Sequence, residues 1–405
     1  MAELVARRAP LAWLHRWRDR DVIKVITGVR RCGKSTLLGM FQSDLRDAGV
    51  PPDRIISVNL ENPSLGHLLG DYLTLYNYLK GLLPSDGVAY LFVDEIQRSA
   101  EFERVVDGLF VLPGVDLYLT GSSSHLLSGN LATLLTGRYV EHRLLPLSFS
   151  EFVAARDPSQ SPPLRDLYDD YSRSGGFPFV LDLDSDDDVQ QYLDGILATV
   201  LLNDVGPAQR VGNVAQLRSI TEFVFANVGN LTSIKRIADT MTSAGRPITR
   251  KTVERYLTGL ADAFLVYPAR RWDIRGKRLL ESGEKHYVVD AGMRRALLGA
   301  RPTDAGHLLE NTVYLELLRR PGSVFVGKID QREVDFVVER KDGEQYIQVA
   351  LNVDDPITLE RELAPLRAAP GHAPRILLTL DREPPQSYEG IRRRSVLDWL
   401  LDTEG

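Results

Sequence analysis

An α/β fold built on a parallel sheet is predicted by three features of this 405-residue sequence. Val22, Ile23, Val25 and Ile26 form a short apolar run, followed by a glycine-rich loop and the apolar 37–41 segment. That order reads as strand, loop, helix. Tyr90, Leu91, Phe92 and Val93 are apolar without alternation and end in Asp94 and Glu95. A run of this kind is buried on both faces, as in parallel sheets. Further strand signals at 54–60, 115–120 and 139–144 are interleaved with helical ones at 68–83 and 125–136, the βα alternation of a wound parallel sheet. Leu4, Leu11, Leu14 and Trp17 recur at helical spacing, so a helix leads into the first strand. Beside it, Arg7 and Arg8 read as solvated charges, with contact to a nucleotide base as the alternative.

The loop is Gly28, Val29, Arg30, Arg31, Cys32, Gly33, Lys34, Ser35 and Thr36, which matches G-x-x-x-x-G-K-[S/T], the phosphate-binding loop. Gly28 and Gly33 permit backbone angles and close approach that a side chain forbids. Successive N–H groups and the helix N-terminus then face phosphate oxygens. Lys34 reaches the β- and γ-phosphates of ATP, and the Ser35 hydroxyl suits Mg²⁺. Asp94 follows Lys34 by 60 residues and emerges at the carboxyl end of its strand, where ligands bind in such sheets. There it holds Mg²⁺ beside Ser35, directly or through water. Glu95 is placed to polarise the attacking water. Ser122, at the tip of the 115–120 strand, either senses the γ-phosphate or caps the helix that follows. Arg138 is either a finger for a neighbouring subunit's γ-phosphate or a surface cation near a helix C-terminus.

The remaining composition excludes several classes. A net charge of −6 marks no general affinity for nucleic acid. One cysteine, Cys32, excludes an intrachain disulfide and fits a reducing compartment. Inside the loop it is either a filler residue or a point where oxidation blocks nucleotide. No apolar run reaches the ~18–20 residues of a membrane span. The first 20 residues lack the apolar core of a signal peptide, so the cytoplasm is expected.

Beyond the core, residues 156–163 read as a loop and Gly175, Gly176 and Pro178 mark a sharp turn. Asp182, Asp184, Asp186, Asp187 and Asp188 read as a solvated loop rather than a metal site. Helices are expected at 189–205 and 216–228. Between Leu231 and Leu280 there are 11 Lys and Arg against 4 acids, an excess of +7. Ser233 and Thr249 cap two helices here, and a basic hairpin follows to residue 280. This suggests a winged helix-turn-helix whose Arg250, Lys251 and Arg255 either neutralise duplex DNA phosphates or lie on a protein-packing face beside Glu254. In the last 120 residues the order is strand, helix, three strands, helix, strand. Glu310 falls on the apolar face of its helix with Val313, Tyr314 and Leu317, a costly place for an unpaired carboxylate.

Residues 20–152 resemble the AAA-type P-loop ATPases of bacteria and archaea, near the origin-recognition and archaeal ATPases. The resemblance rests on the 28–35 loop, Val93 to Gln97, Thr120 to Ser123, Gly137-Arg138, and Pro146 to Phe152. It implies an ATP-binding core over 1–150, a helical lid over 151–228, a winged helix over 229–280 and a last domain over 281–405. The last domain resembles the restriction-endonuclease-like fold, which implies a helix Glu, a strand Asp and a third-strand E-x-K around Mg²⁺. Glu310 and Asp335 match the first two, but Gln348 and Ala350 replace the last pair. The expectation is therefore a domain without nuclease activity. The whole reading is an Mg²⁺-dependent ATPase, a homo-oligomeric switch or motor acting on DNA or protein. Its rivals are an ATP-gated regulator with little turnover and an ATP-dependent nuclease.

Overall fold

The computed structural model describes residues 4–127, 137–156, 162–209, 213–280, 283–300, 304–381 and 386–402. The chain forms two compact units, one of Leu4–Pro146 with Asp262–Phe264, the other mainly of Leu147–Ala261 and Leu265–Gly405.

The first unit is wound on five parallel strands: β1 (Ile23–Thr27), β2 (Ile55–Asn59), β3 (Ala89–Asp94), β4 (Val115–Gly121) and β5 (Tyr139–Arg143). Their order is β2-β3-β4-β1-β5. β1 therefore lies between β4 and β5, where the winding reverses. All five run the same way, so their carboxyl ends share one edge: Thr27 is level with Gly121 and Arg143, and Asn59 with Asp94. One face buries Ile23, Val25, Leu91, Val93, Leu117 and Leu119 against the helices Tyr72–Gly81 and Phe102–Phe110. On the other, Phe41 of the helix Lys34–Asp47 packs on Phe92 and Tyr118.

The 68–83 helix starts later than expected. Asp71 accepts from the Leu73 and Thr74 amides and so sets the start at Tyr72. Pro63–Leu68 forms a separate 3₁₀ turn. Of the 125–136 helix, residues 128–136 lie outside the described residues, and Ser124–Leu127 is a 3₁₀ turn.

Lys24 interrupts the apolar run of β1, yet its side chain is fully buried. Asp116 of β4 pairs with it, and Tyr118 donates to the same carboxylate at 2.8 Å. Burial pulls the Lys24 ammonium below its ordinary value, and Asp116 opposes that shift.

The second unit begins with Phe149–Ala155, closed by a capping box between Ser148 and Glu151, and continues into Leu164–Ser174. The turn after it is shaped by Gly175, at φ +81°, where a Cβ would lie 2.2 Å from Asp290 Oδ1. Asp290 instead takes the Gly176 and Met293 N–H groups at 2.7 and 2.8 Å. The aspartates of 182–188 divide: Asp182 ends the 3₁₀ turn Pro178–Asp182, Asp184 lies in the short connection after it, and the last three are helical. Ser185 caps a helix from Asp186, and Asp186, Asp187 and Asp188 occupy its first turn, where the helix dipole favours negative charge. That helix ends at Val200 and passes into a π-turn, Leu201–Val205.

Three helices follow, Val214–Ala226, Ile234–Ser243 and Arg250–Asp262, with Ser233 and Thr249 accepting backbone N–H groups at the starts of the last two. β6 (Leu231–Thr232), β7 (Val266–Ala269) and, after a hairpin of β8 (Arg271–Asp273) and β9 (Arg278–Leu279), β10 (Glu284–Val288) complete this part. β6, β10 and β7 make a three-stranded antiparallel sheet.

The expected basic hairpin is present and is built into a larger sheet. β8 pairs in parallel with β11 (Ser323–Ile329), and Trp272 stacks on Phe325 with centroids 5.4 Å apart. The hairpin thus ends an eight-stranded sheet with β12 (Arg332–Arg340), β13 (Gly343–Ala350), β14 (Arg375–Thr379), β15 (Gln386–Tyr388) and β16 (Ile391–Ser395), in the order β15-β16-β14-β13-β12-β11-β8-β9. Apolar Trp272 and Ile274 have a core to enter there, which outweighs the charge of the neighbouring arginines. The helices Ala305–Arg319 and Pro356–Ala368 pack against this sheet.

Truncating the buried pair in the first sheet gives a direct check. Asp116→Ala leaves Lys24 buried without its partner and lowers stability by about 3–5 kcal/mol, while Lys24→Met with Asp116→Leu recovers most of the loss. Urea unfolding of the variants measures both.

Candidate nucleotide site

The site grows from the end of β1. Gly28 has φ +149°, and a Cβ there would lie 2.2 Å from the Leu144 carbonyl oxygen, so only glycine lets the loop turn this close to the strand exit. Gly33, at φ +100°, precedes the first turn of the helix Lys34–Asp47. Lys34 is buried, and its Nζ donates to the Gly28 and Val29 carbonyls at 3.0 and 3.2 Å. The same nitrogen is 3.8 Å from Glu95 Oε1.

Asp94 ends β3. Ser35 Oγ donates to its Oδ2 at 2.6 Å, and the Thr120 hydroxyl donates to Oδ1. A hydroxyl and a carboxylate in direct contact at the loop's helix are donors of the kind Mg²⁺ takes, so the residues fit that ion. Glu95 is left-handed, at φ 54°, and its amide donates to Thr120 Oγ1 at 3.0 Å. Its carboxylate is 3.1 Å from Ser122 Oγ and accepts from Gln97 Nε2. Ser122 therefore lies against Glu95, at the tip of β4. The 3₁₀ turn after it begins at Ser124, which bonds Asp262 at 2.6 Å.

Arg7 departs from expectation. It is buried, and its guanidinium donates to the Cys32 and Leu145 carbonyls at 3.3 and 2.8 Å, pinning the loop to the segment after β5. Cys32 is buried beneath it, and burial pushes its thiol up. Arg30 pairs with Glu61 at 3.1 Å, and Arg31 takes a left-handed turn on the surface.

The structure thus brings the 28–36 loop, Asp94, Glu95 and Ser122 together, and it adds Thr120, Gln97 and Arg7. Arg138 is not among them. Its carbonyl accepts from Ile23 at the opposite, amino end of β1, roughly 16 Å along the strand. Its guanidinium pairs with Asp107 at 2.8 Å. In the other unit, Arg250, Lys251 and Arg255 are exposed on one helix, with Glu254 among them. Thr120 and Gln97 lie in segments the sequence marks as a strand tip and as the sequel to the acid pair. Neither hydroxyl nor amide has a spacing rule of its own, so only the tertiary fold reveals what they touch.

A phosphate loop at the reversal point of a parallel sheet, with a carboxylate pair at the next strand tip, defines the P-loop nucleotide-binding ATPases. The model of an AAA domain family matches residues 20–153, and one of a domain of unknown function matches 165–304. An uncharacterized protein of Haemophilus influenzae is 37% identical over 400 residues, covering 98% of this chain and 99% of that one. Protein MJ1544 of Methanocaldococcus jannaschii is 30% identical over 353 residues, 84% of this chain and 77% of that one. The chain belongs to this family of AAA-type P-loop ATPases. Among solved structures, the Walker-type ATPase PABY2304 of Pyrococcus abyssi aligns with a TM-score of 0.47 and 13% identity, over 73% of this chain and 96% of that one. The Aeropyrum pernix ORC1 protein in complex with DNA aligns at 0.34 and 13%, over 73% and 93%. Among the described residues no helix is long and apolar enough to cross a membrane.

Two substitutions separate cradle shape from cradle support. Gly28→Ala drives a methyl into the Leu144 carbonyl and abolishes nucleotide binding. Arg7→Ala removes two hydrogen bonds that a charged group makes to the backbone and weakens binding about tenfold, on the order of 1.4 kcal/mol. Titration with a fluorescent ATP analogue reads both.

Proposed function

We propose that this chain binds ATP with Mg²⁺ and hydrolyses it, as an oligomeric switch or motor coupled to DNA or protein binding. The observation that carries the reading is the 2.6 Å contact between Ser35 and Asp94, with Lys34 and Glu95 in the same recess. The main-chain amides of residues 28–36 would cradle the phosphates. Lys34 would leave the two loop carbonyls for the β- and γ-phosphates, and Ser35 with Asp94 would hold Mg²⁺. The bound metal would offset phosphate charge. Glu95, oriented by Ser122 and Gln97, would take the proton of the attacking water.

Arg138 is proposed as a finger across a subunit boundary. Its exposure and its distance from its own loop favour a neighbour's phosphate over its own. Residues 151–228 would serve as a lid, 229–280 as a winged helix-turn-helix and 281–405 as a restriction-endonuclease-like domain. With the hairpin built into the large sheet, Arg250, Lys251 and Arg255 on the exposed helix face are the groups left for duplex DNA phosphates.

Lys34→Ala is expected to abolish ATP binding. Glu95→Gln should keep binding while turnover drops by about 10²–10⁴. Phosphate release and nucleotide retention on a filter separate the two, and normal hydrolysis by Glu95→Gln would remove the water-activation role. Mixing Arg138→Ala with Lys34→Ala, each inactive alone, should recover part of the turnover, because one variant supplies the loop and the other the arginine. No recovery in the mixture places Arg138 outside the reaction.

A further inference from the structure

The second unit buries a lysine among three carboxylates. Lys285, in the middle strand of the three-stranded sheet, is 4% exposed. Its Nζ lies 2.9 Å from Glu310 Oε1, 2.6 Å from Glu333 Oε1 and 4.0 Å from Asp335 Oδ1. Glu310 comes from the helix Ala305–Arg319, and the other two acids from β12. Tyr287 adds a hydrogen bond to Glu310 Oε1 at 2.6 Å, and the Val349 amide one to Asp335 Oδ2 at 2.9 Å. Beside the cluster, Gln348 takes the Asp335 amide on its oxygen and gives its nitrogen to Glu362 at 2.9 Å. A cavity of about 370 Å³ opens here, lined in part by Glu333, Asp335, Gln348 and Glu362.

Glu310 and Asp335 are the residues that a restriction-endonuclease-like fold would turn on Mg²⁺. The fit fails here. A divalent ion needs several oxygen lone pairs converging on one point at about 2.0–2.6 Å. Among the described residues no three His, Cys, Asp or Glu side chains are so disposed. The carboxylates converge instead on the lysine nitrogen. Burial works against the Lys285 charge, but Glu310, Asp335 and Glu333 outweigh it and raise the ammonium above its ordinary value.

We propose that the Lys285 ammonium is the resident cation of this carboxylate pocket, standing in place of a divalent metal, so that the cluster joins the three-stranded and eight-stranded sheets instead of cleaving a phosphodiester. The missing third-strand lysine is thus answered from another strand, in a position that fills the pocket. The proposal is independent of ATP turnover.

The test uses the full-length protein without nucleotide. Wild type should melt at the same temperature with and without Mn²⁺, and plasmid DNA with Mg²⁺ should stay intact. Lys285→Ala should melt lower and regain at least about 2 °C with Mn²⁺, as a ligand that binds only the folded state must produce. Adding Asp335→Asn to Lys285→Ala should erase that gain. A folded Lys285→Ala that ignores Mn²⁺ overturns the proposal. Should Lys285→Ala not fold, wild type decides by Mn²⁺ electron spin resonance. A free-ion signal equal to that of Asp335→Asn supports the resident lysine. A signal that wild type depletes and Asp335→Asn restores overturns it, as does plasmid cleavage that Asp335→Asn abolishes.

Discussion

One carboxylate organises the nucleotide unit. Asp94 accepts from Ser35 on the loop's helix and from Thr120 on β4. It therefore ties loop, β3 and β4 at a single point of the sheet's carboxyl edge. That is possible because parallel strands in register bring all their ends to one edge, and the reversal of winding at β1 leaves a crevice there. Thr120 then serves twice, since its oxygen also takes the Glu95 amide. This fixes the left-handed turn that sends Glu95 toward Lys34 while Asp94 stays on Ser35. Two adjacent acids thereby receive different surroundings, hydroxyls for one, and a lysine, a serine and an amide for the other.

Two buried lysines show how differently such charges can be used. Lys24 meets one carboxylate, Asp116, and the pair is neutral as a unit. It stitches two central strands at the end of the sheet away from the loop, where nothing in the surroundings suggests a ligand. Lys285 faces three acids, Glu310 and Asp335 buried and Glu333 partly exposed. A pair of the first kind can be replaced by apolar residues at little loss, whereas the second depends on every member. Removing Lys285 leaves the buried Glu310 and Asp335 without their shared cation.

The parts of this chain that were legible in its sequence are those fixed by local rules. The 28–36 loop, the Asp94–Glu95 pair at a strand end and the caps at Ser233 and Thr249 each need only neighbours within a few positions. What could not be read depends on partners far along the chain. Arg7 looked solvated because its acceptors, the carbonyls of Cys32 and Leu145, have no sequence signature. Asp186, Asp187 and Asp188 read as a loop by charge alone, while Ser185 as an N-cap makes them a helix start. The absence of a lysine two residues after Gln348 was plain. That Lys285, more than 60 residues earlier, would point at Glu310 was not, since strand order in a mixed sheet is decided by tertiary packing.

The basic hairpin teaches the same point through competing forces. Counting charge over 231–280 draws attention to the 11 cations. The count ignores partly buried Trp272 and fully buried Ile274, the latter's burial alone worth on the order of 2–3 kcal/mol. Ile274 is completely buried in the core of the large sheet with Val337 and Leu363. The hairpin is therefore held by its apolar residues and merely decorated by its charges. Since β10 pairs by its backbone with β6 and β7 while its Lys285 side chain enters the acid cluster, the segment from β7 to β10 belongs to both sheets at once.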